Sequence, residues 1–427
     1  MLPMSNRVSR LLAVVVWVAS AGWVFAALNL RSPYLLAVRE AVMWVWVAVG
    51  LLALGWLIFR GKRNFPRLLH FAAAAAVLGG LLAGYGYWRH FQSQRIVRET
   101  PAARMPETGK HLIVGWLGFE ETRVLAAKGA IAGVFLTRKD FPLGVSLEDI
   151  RRTVDALQTA RRDAGLPPLW VATDQEGGVV EKLSPPLPVQ PALGSLLTDL
   201  DGPDPARTAE IVSRVTAYAD IQGQALAAAG INLNFAPVVD LRPAAPPAAL
   251  DLHSRIASRA LAADPATVAL AGETYVRVLK RHGVTAILKH FPGLGRVPAD
   301  THHFAARLDS SIADLAATDW VPFREISQRT EAGIMLGHVR LTALDPDHPA
   351  SCSRATVKLL REKWGATGLL VTDDFSMSPI FHGRGGIVSA AEQSLAAGVD
   401  LILLSYDAAA VYDLLAANLG KNPPGRR

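Results

Sequence analysis

Three stretches near the N-terminus, Leu11–Leu30, Ala41–Phe59 and Leu68–Trp88, contain no Asp, Glu, Lys or Arg. A helix that crosses the hydrocarbon of a bilayer needs about 20 predominantly apolar residues, and each stretch meets that length. Each is also too long for the apolar core of a signal peptide, and a cleaved signal would not be followed by two more such runs. Buried helices of a soluble domain are the plainer alternative, but these rarely lack a polar face over such a length. Residues 1–88 are therefore expected to form a membrane anchor of three transmembrane helices.

The charge distribution agrees. Residues 1–105 hold 12 of the 44 Lys+Arg and 2 of the 37 Asp+Glu, so this segment carries +10 and the remainder −3. The body of the chain is slightly acidic, which speaks against a nucleic-acid partner. Six of the ten Trp fall in the first 88 residues, and Trp beside basic residues suits membrane interfaces. Basic loops stay in the cytoplasm, and the most basic connection is Arg60-Gly-Lys62-Arg63 through Arg67, with Arg7 and Arg10 on the same side. Three spans then place everything after Trp88 in the periplasm or exterior, as a multi-pass inner-membrane protein. Arg89, Arg95, Arg98 and Arg104 argue the other way. The single Cys352 excludes a disulfide scaffold, a cysteine zinc site and an iron–sulfur centre.

After a linker expected at 89–109, short apolar runs alternate with amphipathic stretches. The runs are His111–Trp116, Ala132–Leu136, Leu169–Thr173, Ile231–Pro237, Thr285–Lys289, Ala332–Gly337, Gly368–Thr372 and Asp400–Leu404. Helical stretches include Leu147–Ala164, Ala206–Ala229, Thr267–His282, Ser353–Trp364, Ile387–Ala397 and Ala408–Leu419. The runs are rich in Val, Ile and Leu on both faces, as strands buried between helices must be. Eight strand–helix units fit an α/β fold of the (β/α)8 TIM-barrel type over residues 110–427. An open doubly wound sheet competes, but no G-x-G-x-x-G follows the first strand. The Pro-rich stretch Arg242–Ala249 reads as a loop insertion.

A barrel of this kind carries its chemistry on the loops that follow its strands. Five successive strand ends bear Asp, Lys or His: Asp174-Gln175-Glu176-Gly177-Gly178; Asn234-Phe235-Ala236-Pro237 reaching Asp240; Lys289-His290-Phe291-Pro292-Gly293 with Asp300-Thr301-His302-His303; His338; and Asp373-Asp374. Singly, each has an ordinary explanation. A strand-end Asp commonly caps the next helix, a loop His commonly faces solvent, and the Gly pairs are common turns. Packing alone does not account for the whole set.

In this order the motifs resemble the signature of glycoside hydrolase family 3, in its single-domain β-N-acetylglucosaminidase branch (the NagZ-like enzymes). The resemblance spans about residues 110–420, and residues 1–105 have no counterpart in it. It implies Asp373 as carboxylate nucleophile, His302 as general acid/base and Asp300 as the carboxylate that orients it. It places Asp174, Arg259, Lys289 and His290 on the sugar's hydroxyls and N-acetyl group, and Lys182 where the family has an Arg. A Lys there loses bidentate reach. Leu294 and Ser258 also depart from the family pattern. The implied reaction is retaining hydrolysis of terminal β-linked N-acetylglucosamine from muropeptide-like glycans through a glycosyl-enzyme intermediate, with no metal and no other cofactor. An imidazole suits proton shuttling near neutrality. Lys289 and Arg259, if close to Asp373, would keep it ionised. The loop Gly293–His303, with two Gly and one Pro, is a candidate moving segment. Two other readings stand beside this one. One is a metal-dependent barrel hydrolase using His290, His302, His303 and His338, disfavoured by the absence of His-x-His at the first strand's end. The other is a membrane-tethered glycan-binding or scaffold protein on a degenerate glycosidase fold. The sequence indicates no oligomeric state.

Overall fold

The computed structural model describes residues 6–60, 67–105, 107–202, 204–244, 254–297 and 300–421. The core of the basic connection (61–66), the latter part of the Pro-rich insertion (245–253) and residues 298–299 of the loop after the fifth strand lie outside these. The chain forms two compact units, Met1–Glu99 and Thr100–Arg427.

The first unit consists of helices α1 (Asn6–Leu28), α2 (Arg39–Arg60) and α3 (Arg67–Glu99). All three are long and apolar enough to cross a membrane. Their outer faces expose large apolar side chains, Leu52 at 75% and Phe59 at 86%. Such a surface suits lipid rather than water. Helices α2 and α3 approach closely where both carry glycine: a methyl group on Gly80 would come within 3.0 Å of Gly50 Cα and of the Trp46 carbonyl. Small residues allow this kind of backbone contact between membrane helices. Trp23 of α1 stacks on Trp46 of α2 with ring centroids 4.1 Å apart, and Trp46 Nε1 donates to the Trp23 carbonyl at 3.1 Å. Helix α3 continues through Arg89–Glu99, the first part of the expected linker. Nothing in that stretch breaks a helix until Pro101, which disfavours helical geometry in the residue before it.

The second unit is a closed barrel of eight parallel strands: β1 (Leu112–Gly115), β2 (Gly133–Phe135), β3 (Trp170–Thr173), β4 (Leu233–Asn234), β5 (Thr285–Phe291), β6 (Gly333–Leu336), β7 (Leu370–Asp374) and β8 (Leu401–Leu404). Each pairs with its sequence neighbour, and β8 closes on β1 through Leu112↔Ile402. Eight outer helices alternate with the strands: α4 (Phe119–Ala127), α5 (Leu147–Asp163), α6 (Thr208–Ala228), α7 (Pro265–Arg281), α8 (Trp320–Arg329), α9 (Arg354–Lys358, continued by Leu359–Lys363), α10 (Gly386–Ala397) and α11 (Ala410–Lys421). This is the (β/α)8 fold, with every strand inside an expected run except β5 and β7, which extend by two residues. Strand β4 is short, and its pairing with β5 resumes beyond Pro237 as a single bridge, Val238↔Lys289. Alternate strand residues fill the barrel: Ile113, Phe135, Ala172, Leu233, Ile287, Met335, Val371 and Leu403 are all buried. Phe135 stacks on Phe235, with centroids 5.8 Å apart. A packed interior leaves the rim after the strands as the place for chemistry.

Candidate active site

On the rim after β3, the chain makes a tight antiparallel turn, Gln175–Gly177 pairing with Val180–Glu181. Gly177 sits at φ +95°, a conformation that favours glycine, and the Tyr218 hydroxyl from α6 donates to the Glu176 carbonyl at 2.9 Å beside it. Asn234 at the end of β4 exchanges bonds with Gln175, its Oδ1 accepting and its Nδ2 donating, each at 2.9 Å. These contacts fix the segment that carries Asp174 and Glu176.

Both carboxylates meet cations from later segments of the chain. Arg259 ends a short helical turn, Ile256–Arg259, between β4 and α7. It grips Glu176 with two bonds, Nε to Oε2 at 2.9 Å and Nη2 to Oε1 at 2.8 Å. Lys289 of β5 donates to Asp174 Oδ1 at 2.6 Å and lies 2.6 Å from Glu176 Oε1. All but Asp174 are nearly inaccessible. Burial alone would raise the Glu176 pKa, but the Arg259 and Lys289 charges outweigh it and hold the carboxyl at about 2. Burial works against the Lys289 ammonium, and Asp174 and Glu176 reverse that, raising its pKa above the ordinary value.

The register of β5 against β6 shifts between Leu288 and Phe291. Consecutive side chains of a regular strand point to opposite faces. Here Lys289 and His290 both reach the rim network. His290 Nδ1 lies 2.7 Å from Asp240 Oδ2, and its Nε2 lies 3.3 Å from Arg259 Nη2. Asp240 also accepts from the Leu294 N–H at 2.7 Å, so one buried carboxylate ties β4 to the loop after β5.

Asp300 and His302 stand in that loop. Asp300 Oδ1 accepts from the His302 N–H and pairs with Nδ1 of its ring, both at 3.0 Å. Asp300 is buried, whereas the His302 side chain is 39% exposed. The His302 carbonyl accepts from the Ser378 N–H at 3.1 Å, which links this loop to the segment after β7.

Asp373 lies at the end of β7, half-buried, and its Oδ1 accepts from the Asp374 N–H at 2.8 Å. Burial pushes its pKa up, and the neighbouring His338, His290 and His302 imidazoles together with that N–H more than offset this, leaving it below the ordinary carboxylate value. The N–H acts at every pH, whereas an imidazole acts to the extent that it carries a proton. Lys289 and Arg259, expected to keep Asp373 ionised, are instead taken up by Glu176 and Asp174; opposite charges that bury together satisfy one another first. Asp374 points away into the fold, accepting from Ser405 Oγ at 2.6 Å and the Tyr406 N–H at 2.8 Å. His338 Nε2 donates to the Asp374 carbonyl and its Nδ1 faces Ser351 Oγ, each at 2.9 Å. Burial keeps the His338 pKa below its ordinary value despite nearby Asp373.

Seven of the eight candidates thus enter one bonded or electrostatically linked cluster. Lys182 is held on the same rim by its N–H to the Asp174 carbonyl at 3.0 Å, but its side chain is exposed. Glu176, Asp240 and His338, which the sequence places on strand ends without a role in the glycosidase reading, also join this cluster. Two buried cations at Lys289 and Arg259 require counter-charges, and Asp174 alone does not suffice; that was the available signal for Glu176. Among the described residues no group of three or more His, Cys, Asp or Glu is arranged to hold a metal ion. The arrangement offers a partly exposed imidazole set by a buried carboxylate, an ionised carboxylate at the end of β7, and a charged cradle for a polar ligand.

The family model for the glycosyl hydrolase family 3 N-terminal domain matches residues 107–422. A β-hexosaminidase of Stenotrophomonas maltophilia is 31% identical over 301 residues, covering 69% of this chain and 83% of that one. NagZ from Neisseria gonorrhoeae superposes with a TM-score of 0.62 at 28% identity, over 76% of this chain and 88% of that one. A glycoside hydrolase family 3 β-N-acetylglucosaminidase from Paenibacillus sp. gives a TM-score of 0.64 at 29% identity, over 74% of this chain and 57% of that longer one.

Proposed function

The chain belongs to glycosyl hydrolase family 3, and on that premise we propose that it is a retaining β-N-acetylhexosaminidase, removing terminal β-linked N-acetylglucosamine from peptidoglycan fragments. That it is a glycoside hydrolase follows from the family and its curated relatives. The Asp373 carboxylate attacks the anomeric carbon while His302 gives its proton to the departing glycosidic oxygen. The C–O bond breaks and a sugar ester forms on Asp373. His302, now without that proton, takes one from a water, which attacks the same carbon and frees Asp373. Asp300 holds the imidazole through Nδ1, so that Nε2 is the nitrogen that carries the moving proton. Asp174, Arg259, Lys289 and His290 bind the sugar's hydroxyls and N-acetyl group, with Lys182 at the edge.

The observation that carries this reading is the pairing of His302 with buried Asp300 at 3.0 Å, in a loop tied to the strand end of an ionised Asp373. The test is to assay the full chain in detergent on an aryl N-acetylglucosaminide and an aryl glucoside in parallel, and to trap the intermediate with a fluorinated N-acetylglucosaminyl donor. Turnover of the first substrate and labelling of Asp373 are expected. Binding of muropeptides without sugar release would support the glycan-binding reading instead.

We also propose that residues 1–88 anchor the enzyme in the inner membrane, that 89–109 connect, and that the catalytic domain 110–427 faces the periplasm or exterior. The three apolar helices and the basic connection after α2 support this. A reporter that works only outside the cytoplasm, fused after residue 105, should be active.

A further inference from the structure

Ser254 lies five residues before Arg259 in the connection from β4 to α7, and it is buried. Its carbonyl accepts from Arg259 Nη1 at 2.6 Å, and its hydroxyl donates to Asp300 Oδ1 at 3.0 Å. That oxygen is the one paired with the His302 backbone N–H and ring Nδ1. A single residue therefore bonds both to the buried ion-pair network and to the carboxylate that sets the imidazole. A carboxylate turns easily about its last bond. A donor arriving from the β4 side restrains that rotation, and with it the direction in which the His302 ring points.

Resting on the acid/base reading of His302 above, we propose that Ser254 is a positioning residue for proton transfer. It pins Asp300, so that His302 meets the leaving oxygen only when the Arg259 side of the network is seated. Ser254 does not touch the substrate and acts through Asp300. Misaiming a proton donor by about 1 Å can cost on the order of 100-fold, and the loss of one hydroxyl–carboxylate bond, with the His302 N–H still bonded to Asp300, should misaim it by less.

The role predicts a dependence on the leaving group. A dinitrophenolate departs without a proton, whereas a phenolate of ordinary basicity needs one. In detergent-solubilised full-length protein, Ser254→Ala should lower kcat/KM on phenyl N-acetylglucosaminide by about tenfold and on the 2,4-dinitrophenyl glycoside by less than about twofold. Its melting temperature should fall by only a few degrees, as the loss of one buried hydrogen bond implies, and Ser254→Thr, which keeps the hydroxyl, should restore the rate. Equal losses on both substrates, or no loss on either, would overturn the assignment. His302→Ala serves as the reference. If it too lacks leaving-group dependence, the acid/base reading falls and this inference with it. If it shows the dependence while Ser254→Ala does not, the inference about Ser254 alone falls.

Discussion

The backbone N–H of Ser378 donates to the carbonyl oxygen of His302 over 3.1 Å, joining the loop after β5 to the segment that follows Asp373. The two groups proposed to react sit on different strand ends, 71 positions apart in the sequence. This bond holds their loops together through backbone atoms alone, so side-chain replacements at either position leave it in place.

For that reason the reaction can be disabled without unfolding the barrel. His302→Ala should reduce turnover of an aryl N-acetylglucosaminide by about 10²–10⁴-fold, the usual worth of a general acid/base. Asp373→Asn should cost about 10³-fold or more, because an amide cannot form the sugar ester. Both variants should melt at the wild-type temperature. Full activity in Asp373→Asn would refute the assignment of the nucleophile.

Glu176 makes stability depend on pH. Its folded pKa, about 2, lies below the ordinary 4.5, so the ionised carboxylate stabilises the fold above that range. The contribution fades as pH falls from 4.5 towards about 2. Glu176→Gln leaves Arg259 and Lys289 short of a buried counter-charge and should cost about 3–5 kcal/mol at neutral pH. In denaturant titrations the gap between wild type and Glu176→Gln should narrow as pH drops through that window. A constant gap would mean that Glu176 is not ionised against these cations.

Much of this was legible in the residues and some was not, for identifiable reasons. Strands buried on both faces must be built from Val, Ile and Leu, so β1, β3, β6 and β8 stand out as apolar runs. The rim motifs follow them directly, which is why Asp373, His302 and Lys289 stand out as candidates. The partner of each charge could not. Glu176 meets Arg259 across 83 positions, and nothing local distinguishes Glu176 from Asp174 as the residue that Arg259 grips. Nor does alternation foresee that Lys289 and His290 both face the rim, because that depends on a register break in β5. The extension of α3 to Glu99 was hidden by charge: Arg89, Arg95 and Arg98 end the apolar run without ending the helix.

Lys182 should behave differently from the buried cations. Its exposed side chain contributes nothing visible to the fold, while Lys289 neutralises two carboxylates. Lys182→Ala should raise KM about fivefold, as the loss of one exposed charged contact to a hydroxyl would, with kcat and melting temperature unchanged. Lys289→Ala should damage both stability and turnover. If Lys182→Ala instead lowered the melting temperature, its side chain would be a structural group.

Gly177 offers the sharpest test of how the Glu176 segment is held. At φ +95° any side chain is strained, and a methyl group would come within 1.9 Å of the Tyr218 oxygen and 2.6 Å of the Pro191 carbonyl. In Gly177→Ala the tyrosine must therefore leave, breaking its bond to the Glu176 carbonyl and loosening the carboxylate that Arg259 and Lys289 hold. The expected result is a lower melting temperature and a higher KM. Tyr218→Phe alone removes one hydroxyl, whose proton is shared between the Glu176 and Pro191 carbonyls, worth about 1 kcal/mol. With the hydroxyl gone, much of the clash goes too, so Gly177→Ala combined with Tyr218→Phe should cost less than the two single losses added. Residues in contact couple in this way, whereas distant ones add. Thermal unfolding of the four proteins in one detergent measures the coupling directly, and strict additivity would show that Gly177 and Tyr218 do not meet.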